Sequence, residues 1–232
     1  MNEVVRQFSS MFKGRPDAWG AVTGQCVYEN VTLAHFERYL SGKVSLGQYP
    51  LLNDNTCWWC SADFDQPGRA SWHAGPDDDT PARNLIEALT YFGANQGMYL
   101  EKTKSKGWRV WLFFSIPILA KDARRLFFAA LDRANLPRSI EIFPKQDVIG
   151  KPSPQNPHPV SNYINLPSFG GGTSGPRKGR VFVDLKTGFP IPLPQLLSHS
   201  QSLPAEALPL IGGQRRRGDK KARTRGVEGS RR

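Results

Sequence analysis

A chain of 232 residues, 39% hydrophobic and 22% charged, is long and apolar enough for one large domain or two small ones with a real core. Its longest apolar stretch, around Trp108 to Ala120, contains Arg109 and Pro117 and falls short of the about 18 residues that a bilayer span needs. No signal peptide is visible at the N-terminus, and three cysteines (Cys26, Cys57, Cys60) are too few for a disulfide scaffold, so a soluble cytoplasmic protein with no membrane partner is expected; the net charge of +11 leaves the partner class open until its distribution is known.

The first elements form a small lead-in unit, up to about residue 50. A stretch with Phe8, Met11 and Phe12 suits a short helix, and Thr32 can cap a second with Leu33, Phe36 and Leu40 on one face and Gly42 as its stop. From residue 51 the pattern sharpens. Trp58 to Asp65 has few helix formers and lies between Asn53-Asp54-Asn55 and Pro67-Gly68, which predicts a strand. Thr80-Pro81 supplies a cap and an N1 proline for a helix carrying Leu85, Ile86, Leu89 and Phe92, ended by Gly93. Gly97 to Lys102 and Trp108 to Phe114 are predicted strands joined by a Lys/Ser/Gly turn. A second helix spans about Leu119 to Asn135, and Ser139 to Phe143 is a last strand, closed by Pro144.

The order β-α-β-β-α-β over about 90 residues is that of an α+β, RRM-like or ferredoxin-like sheet with strand order 4-1-3-2. The expected division is therefore residues 1–50 as an N-terminal subunit and 51–185 as the core. A Pro-rich linker or strap follows over 186–213. The basic tail at 214–232 holds nine Lys/Arg against two acids, so only +4 of the net charge belongs to the first 213 residues. The tail reads either as a disordered solubilising segment or as an arm that binds phosphates without sequence preference.

Alternation along the strands places Cys60, Ala62 and Phe64 under the helices and Trp59, Ser61, Asp63 and Asp65 on an open face. Glu141 and Phe143 join that face from the fourth strand, and Arg109, Trp111 and Phe113 from the third. Asp63-Phe64-Asp65 alone reads as a strand-end turn or a solvated pair, and Glu141 alone as a surface residue. Together, three carboxylates on neighbouring strands repel one another unless a cation neutralises them, and hard Mg²⁺ or Mn²⁺ prefers such oxygens. Two such ions suit in-line phosphoryl transfer. The same sheet also admits a binding module in which Trp111, Phe113 and Phe143 stack bases, or a two-metal nuclease.

Several motifs also resemble those of the archaeo-eukaryotic primase superfamily, in particular the primase-polymerase domains of conflict systems, phages and plasmids. Tyr49-Pro50-Leu51-Leu52 through Asp63-Phe64-Asp65 is similar to the first motif, Ser105-Lys106-Gly107-Trp108-Arg109-Val110-Trp111 to the second, and Ile140 to Asp147 to the third. Asn162 to Pro167 and the early Phe12-Lys13-Gly14-Arg15-Pro16-Asp17 also look like family segments, so the likeness covers about residues 8 to 185. It implies that Asp63, Asp65 and Glu141 hold two catalytic Mg²⁺ or Mn²⁺ ions, and that Ser105 and its neighbours Lys106, Gly107 and Arg109 contact the phosphates of a nucleoside triphosphate. The family usually has histidine at Arg109. Arginine grips a triphosphate in bidentate fashion but exchanges no proton near neutral pH.

The resemblance further implies single-stranded DNA template, primer and nucleoside triphosphates as partners, with a helicase or other domain beyond the C-terminus as a candidate. Lys145 is a candidate nucleotide contact or an ordinary turn residue. Arg177, Lys178 and Arg180 are candidate template contacts beside Gly170 to Gly175, a run that lacks the Gly-Lys-Ser/Thr ending of a P-loop and reads more simply as a basic loop. Cys57 and Cys60 form a C-x-x-C with no second pair for zinc and read as buried thiols.

Overall fold

The computed structural model describes residues 2–64, 78–103, 107–171 and 180–210. Asp65, Ser105, Lys106, Arg177, Lys178 and the basic tail lie outside the described residues. In chain order the elements are α1 (Glu3–Met11), β1 (Trp19–Gly20), β2 (Cys26–Val27), α2 (Leu33–Leu40), β3 (Gly47–Gln48), β4 (Thr56–Phe64), α3 (Thr80–Tyr91) and β5 (Met98–Lys102). Then follow β6 (Trp108–Leu119), α4 (Ala120–Arg133), β7 (Glu141–Phe143), β8 (Ile164–Asn165), β9 (Val181–Val183) and α5 (Leu193–Ser198).

Two antiparallel sheets result. The larger has the order β7-β4-β6-β5-β9 and the smaller β2-β1-β3-β8. β9 adds an edge strand that sequence reading did not anticipate, because Val181–Val183 is only three residues long and pairs with distant β5. β6 also runs five residues past its expected end at Phe114. Beyond an irregularity between Cys57 and Trp59, Ile118 and Leu119 pair with Cys57 and Thr56, so the hydrogen-bonded ladder resumes instead of stopping.

Local chemistry explains the helices. The Asn2 side chain accepts from the Val4 N–H at 3.0 Å to start α1, and the Thr32 N–H donates to His35 Nδ1 at 3.1 Å to start α2. Pro81 occupies the first turn of α3, where its missing N–H costs nothing.

The large sheet is buried on both faces. Cys60, Ala62, Phe64, Val110, Leu112 and Ile142 pack under α3 and α4 with Leu85, Leu89, Phe127 and Leu131. On the opposite face Trp59, Trp111, Phe113 and Phe143 form a second core with Phe8 and Phe12 of the α1 segment, Phe36 and Tyr39 of α2, and Leu193, Leu196 and Leu197 of α5. The face expected to be open is therefore covered across its centre. The Phe12 ring stands edge-on to both Trp111 and Phe113, 5.3 Å from each centroid. Trp111, Phe113 and Phe143 are consequently not available to stack bases, which removes that basis for the binding-module reading. The stretch after residue 186 supplies part of the cover: α5 buries three leucines, and Leu203 bonds the β6 backbone at Phe113 and Ser115.

Cys57 and Cys60 are fully buried thiols. Among the described residues, no helix is long and apolar enough to cross a membrane.

Candidate active site

Strand register assembles the site. Asp63 near the end of β4 lies opposite Glu141 of β7 on one side and Arg109 of β6 on the other, and Arg109 in turn lies opposite Glu101 of β5. Directly opposed residues share a face, so Glu141, Asp63, Arg109 and Glu101 form one row across four strands. Its charges read minus, minus, plus, minus.

The row passes from solvent into the protein. Glu141 is exposed, and its Oε1 takes a 2.8 Å hydrogen bond from Lys145 Nζ. Asp63 and Arg109 are 8% and 7% exposed, and Arg109 Nη2 donates to Asp63 Oδ2 in a close ion pair. Glu101 is wholly buried. Its Oε2 accepts from Trp111 Nε1 at 2.7 Å and from Arg109 Nη1 at 3.4 Å. Arg109 Nη1 also lies 3.4 Å from the Asn165 carbonyl oxygen, which the smaller sheet brings in through the Gly47–Asn165 pair of β3 and β8.

Burial pushes the Glu101 carboxyl above the ordinary range, and the Asp63 charge adds to that shift. The Arg109 charge, the Trp111 hydrogen bond and the Arg180 charge oppose it. Glu101 was not singled out from the sequence. The available signal was alternation: Leu100 faces the helices, so Glu101 must share the face of Arg109.

Of the other residues singled out, Gly107 immediately precedes β6, and its carbonyl accepts from the Thr103 N–H at 2.9 Å. Arg180, partly exposed, directs Nη1 toward the Leu166 carbonyl at 3.4 Å. Lys145 sits beside Glu141 and 4.9 Å from the Phe143 ring.

Asp63 and Glu141 offer oxygen donors of the kind a hard divalent cation takes. Two carboxylates directly opposite on neighbouring strands repel each other, and each is met here by a protein cation. Oxygen-only donors suit Mg²⁺ or Mn²⁺. Among the described residues no group of three or more His, Cys, Asp or Glu side chains is assembled to hold a metal ion, and Asp65 lies outside them.

The family model for the TOTE conflict system archaeo-eukaryotic primase domain matches residues 21–208. No curated protein matches the chain. The match takes in the whole larger sheet, β2, β3 and β8 of the smaller one and every described member of the charged row, and the chain belongs to the archaeo-eukaryotic primase domain family of TOTE conflict systems.

Proposed function

We propose that the chain is a template-dependent DNA primase-polymerase, a nucleotidyltransferase that extends a primer or an initiating nucleotide on single-stranded DNA from nucleoside triphosphates. Family membership supports nucleotidyl transfer in general. The observation that carries the finer reading is the register that sets Asp63 between Glu141 and Arg109: paired carboxylates with a guanidinium alongside. In this reading the sheet is an RRM-like platform, with β4-α3-β5-β6-α4-β7 as its repeated β-α-β-β-α-β path.

Asp63 and Glu141, with Asp65, would hold two Mg²⁺ or Mn²⁺ ions, which when bound supply charge neutralisation at the attacking and leaving oxygens. The reaction joins the primer 3′-oxygen to the α-phosphorus, breaks the bond to pyrophosphate and releases the hydroxyl proton. Arg109 supplies permanent positive charge and planar donors for phosphate oxygens, and it cannot serve as the proton acceptor. Lys145, Ser105 and Lys106 would add phosphate contacts. Arg177, Lys178 and Arg180 belong to the segment proposed to border the template.

The test is extension of a labelled primer on a single-stranded template with Mn²⁺ or Mg²⁺ and all nucleotides. Wild type extends the primer, whereas Glu141→Gln and the Asp63→Ala/Asp65→Ala double variant do not, yet still bind template. A wild type that binds template without extending it overturns the polymerase reading. Release of nucleotides from DNA without added triphosphates would instead indicate the two-metal nuclease.

A further inference from the structure

Glu101 poses a physical question that the proposed chemistry does not answer. A fully buried carboxylate is costly, and replacing a buried ionic group by apolar residues is often neutral or stabilising. The Trp111 N–H that Glu101 accepts needs only a neutral oxygen. The charge of Glu101 has a different partner, Arg109, which is also paired with Asp63.

The balance along the row shows what that charge does. The directly bonded pairs Glu141–Lys145 and Asp63–Arg109 each sum to zero. Glu101, the third described carboxylate of the row, shares Arg109 with Asp63. Arg180 also acts on Glu101, but its guanidinium is bonded to the Leu166 carbonyl rather than to the row. A cation approaching Asp63 must compete with a guanidinium already on that carboxylate. Whether Arg109 can yield depends on what else holds it, and among the described residues Glu101 at 3.4 Å and the Asn165 carbonyl at 3.4 Å do so.

We propose that Glu101 is a positioning residue that holds Arg109 from the side away from Asp63, so that the Asp63 carboxylate can pass from the guanidinium to a divalent cation while Arg109 stays in the site. The proposal rests on Asp63 being a metal ligand, as in the function proposed above. It gives an arginine a way to stand beside a cation site: the carboxylate behind it takes over the pairing that the metal displaces. Without the charge on Glu101, the described carboxylate that still faces Arg109 is Asp63, and that pair tightens against the metal.

The experiment is a double-mutant cycle on Mn²⁺ binding to the full chain, read by loss of the free Mn²⁺ signal in electron paramagnetic resonance, without nucleotide or DNA. Glu101→Gln keeps an acceptor for Trp111 and removes the charge; it raises the Mn²⁺ dissociation constant about tenfold, within the usual span of coupling between sites. In an Arg109→Gln background the same change has little effect, because no guanidinium remains to be held. Glu101→Asp keeps the charge but withdraws it by one methylene; it gives a smaller rise and replaces Glu101→Gln if that variant fails to fold, as judged by circular dichroism.

A purely structural role would lower thermal stability without this dependence on Arg109. Unchanged Mn²⁺ affinity on loss of the Glu101 charge, or an equal effect in both backgrounds, overturns the proposal while leaving the metal site standing. If wild type itself binds no Mn²⁺, the assignment of Asp63 fails, and the role of Glu101 fails with it.

Discussion

Arg109 and Asp63 face each other across β6 and β4, both nearly buried, with the guanidinium Nη2 bonded to the carboxylate Oδ2. Arg109 thus neutralises one of the carboxylates proposed to take metal. Because Arg109 also reaches Glu101, it joins two otherwise separate acids in low-dielectric surroundings, and both its structural and its functional weight follow from that placement.

Replacing Arg109 by methionine leaves the Asp63 and Glu101 carboxylates without their shared cation. Removing one partner of a buried pair costs about 3–5 kcal/mol, because the charge left behind stays desolvated. Each kcal/mol shifts the melting temperature of a domain this size by about 2–4 °C, so a drop of at least about 6 °C is expected in a thermal melt. A melt within a degree of wild type would show that the pair contributes nothing to folding.

Glu141 permits a cleaner separation of chemistry from stability. It is exposed and its described partner is Lys145, a surface pair worth at most about 1 kcal/mol. Glu141→Gln therefore melts close to wild type. Since residues one bond removed from a metal ligand are already worth about 10–100-fold, loss of this proposed ligand should lower primer extension by at least about 100-fold. Extension at the wild-type rate would remove Glu141 from the metal site.

Period-two alternation made much of this arrangement readable in advance. Cys60, Ala62 and Phe64 face the helices, and Asp63 shares its face with Arg109 and Glu141, as strand geometry requires. What covers that second face was not readable. Trp59, Trp111 and Phe113 have the composition of a base-stacking surface as much as of a core, and only the tertiary placement of Phe8, Phe12 and α5 decides between them. Pro190, Pro192 and Pro194 concealed α5, whose burial rests on Leu193, Leu196 and Leu197. Glu101 escaped notice because an acid in a short strand normally reads as solvated, and its burial depends on β9, an edge strand contributed from about 80 residues away.

The cysteines give a prediction with a defined pH dependence. Burial pushes the Cys57 thiol up to about 12 and moves Cys60 in the same direction, whereas Cys26 is partly exposed. Iodoacetamide at pH 8 should therefore add one group per native chain and three after denaturation, counted by mass spectrometry. The folded-state values lie above the unfolded one, so the neutral thiols leave stability unaffected by pH below about 8.5, and it falls as pH rises from there toward 12. Native chains alkylated three times at pH 8 would contradict the burial of β4.

The small sheet is tested at Gly47, whose role is to let a ring pass. A Cβ on Gly47 would meet the Tyr163 ring well inside van der Waals contact, and one on Gly20 would meet the same ring. The Tyr163 hydroxyl is meanwhile fixed to the Ala21 carbonyl at 3.1 Å, so the ring cannot simply swing aside. Overpacking of this kind costs about 1–3 kcal/mol, which predicts a fall of about 2–12 °C in the melting temperature of Gly47→Ala. Gly47 is also the register partner of Asn165, whose carbonyl faces Arg109, so the same substitution should weaken Mn²⁺ binding through the displaced β8 backbone. Trimming the obstacle in Gly47→Ala/Tyr163→Leu should recover stability and Mn²⁺ affinity together, because one displaced strand accounts for both losses. Recovery of stability with Mn²⁺ affinity still impaired would separate the small sheet from the site it borders.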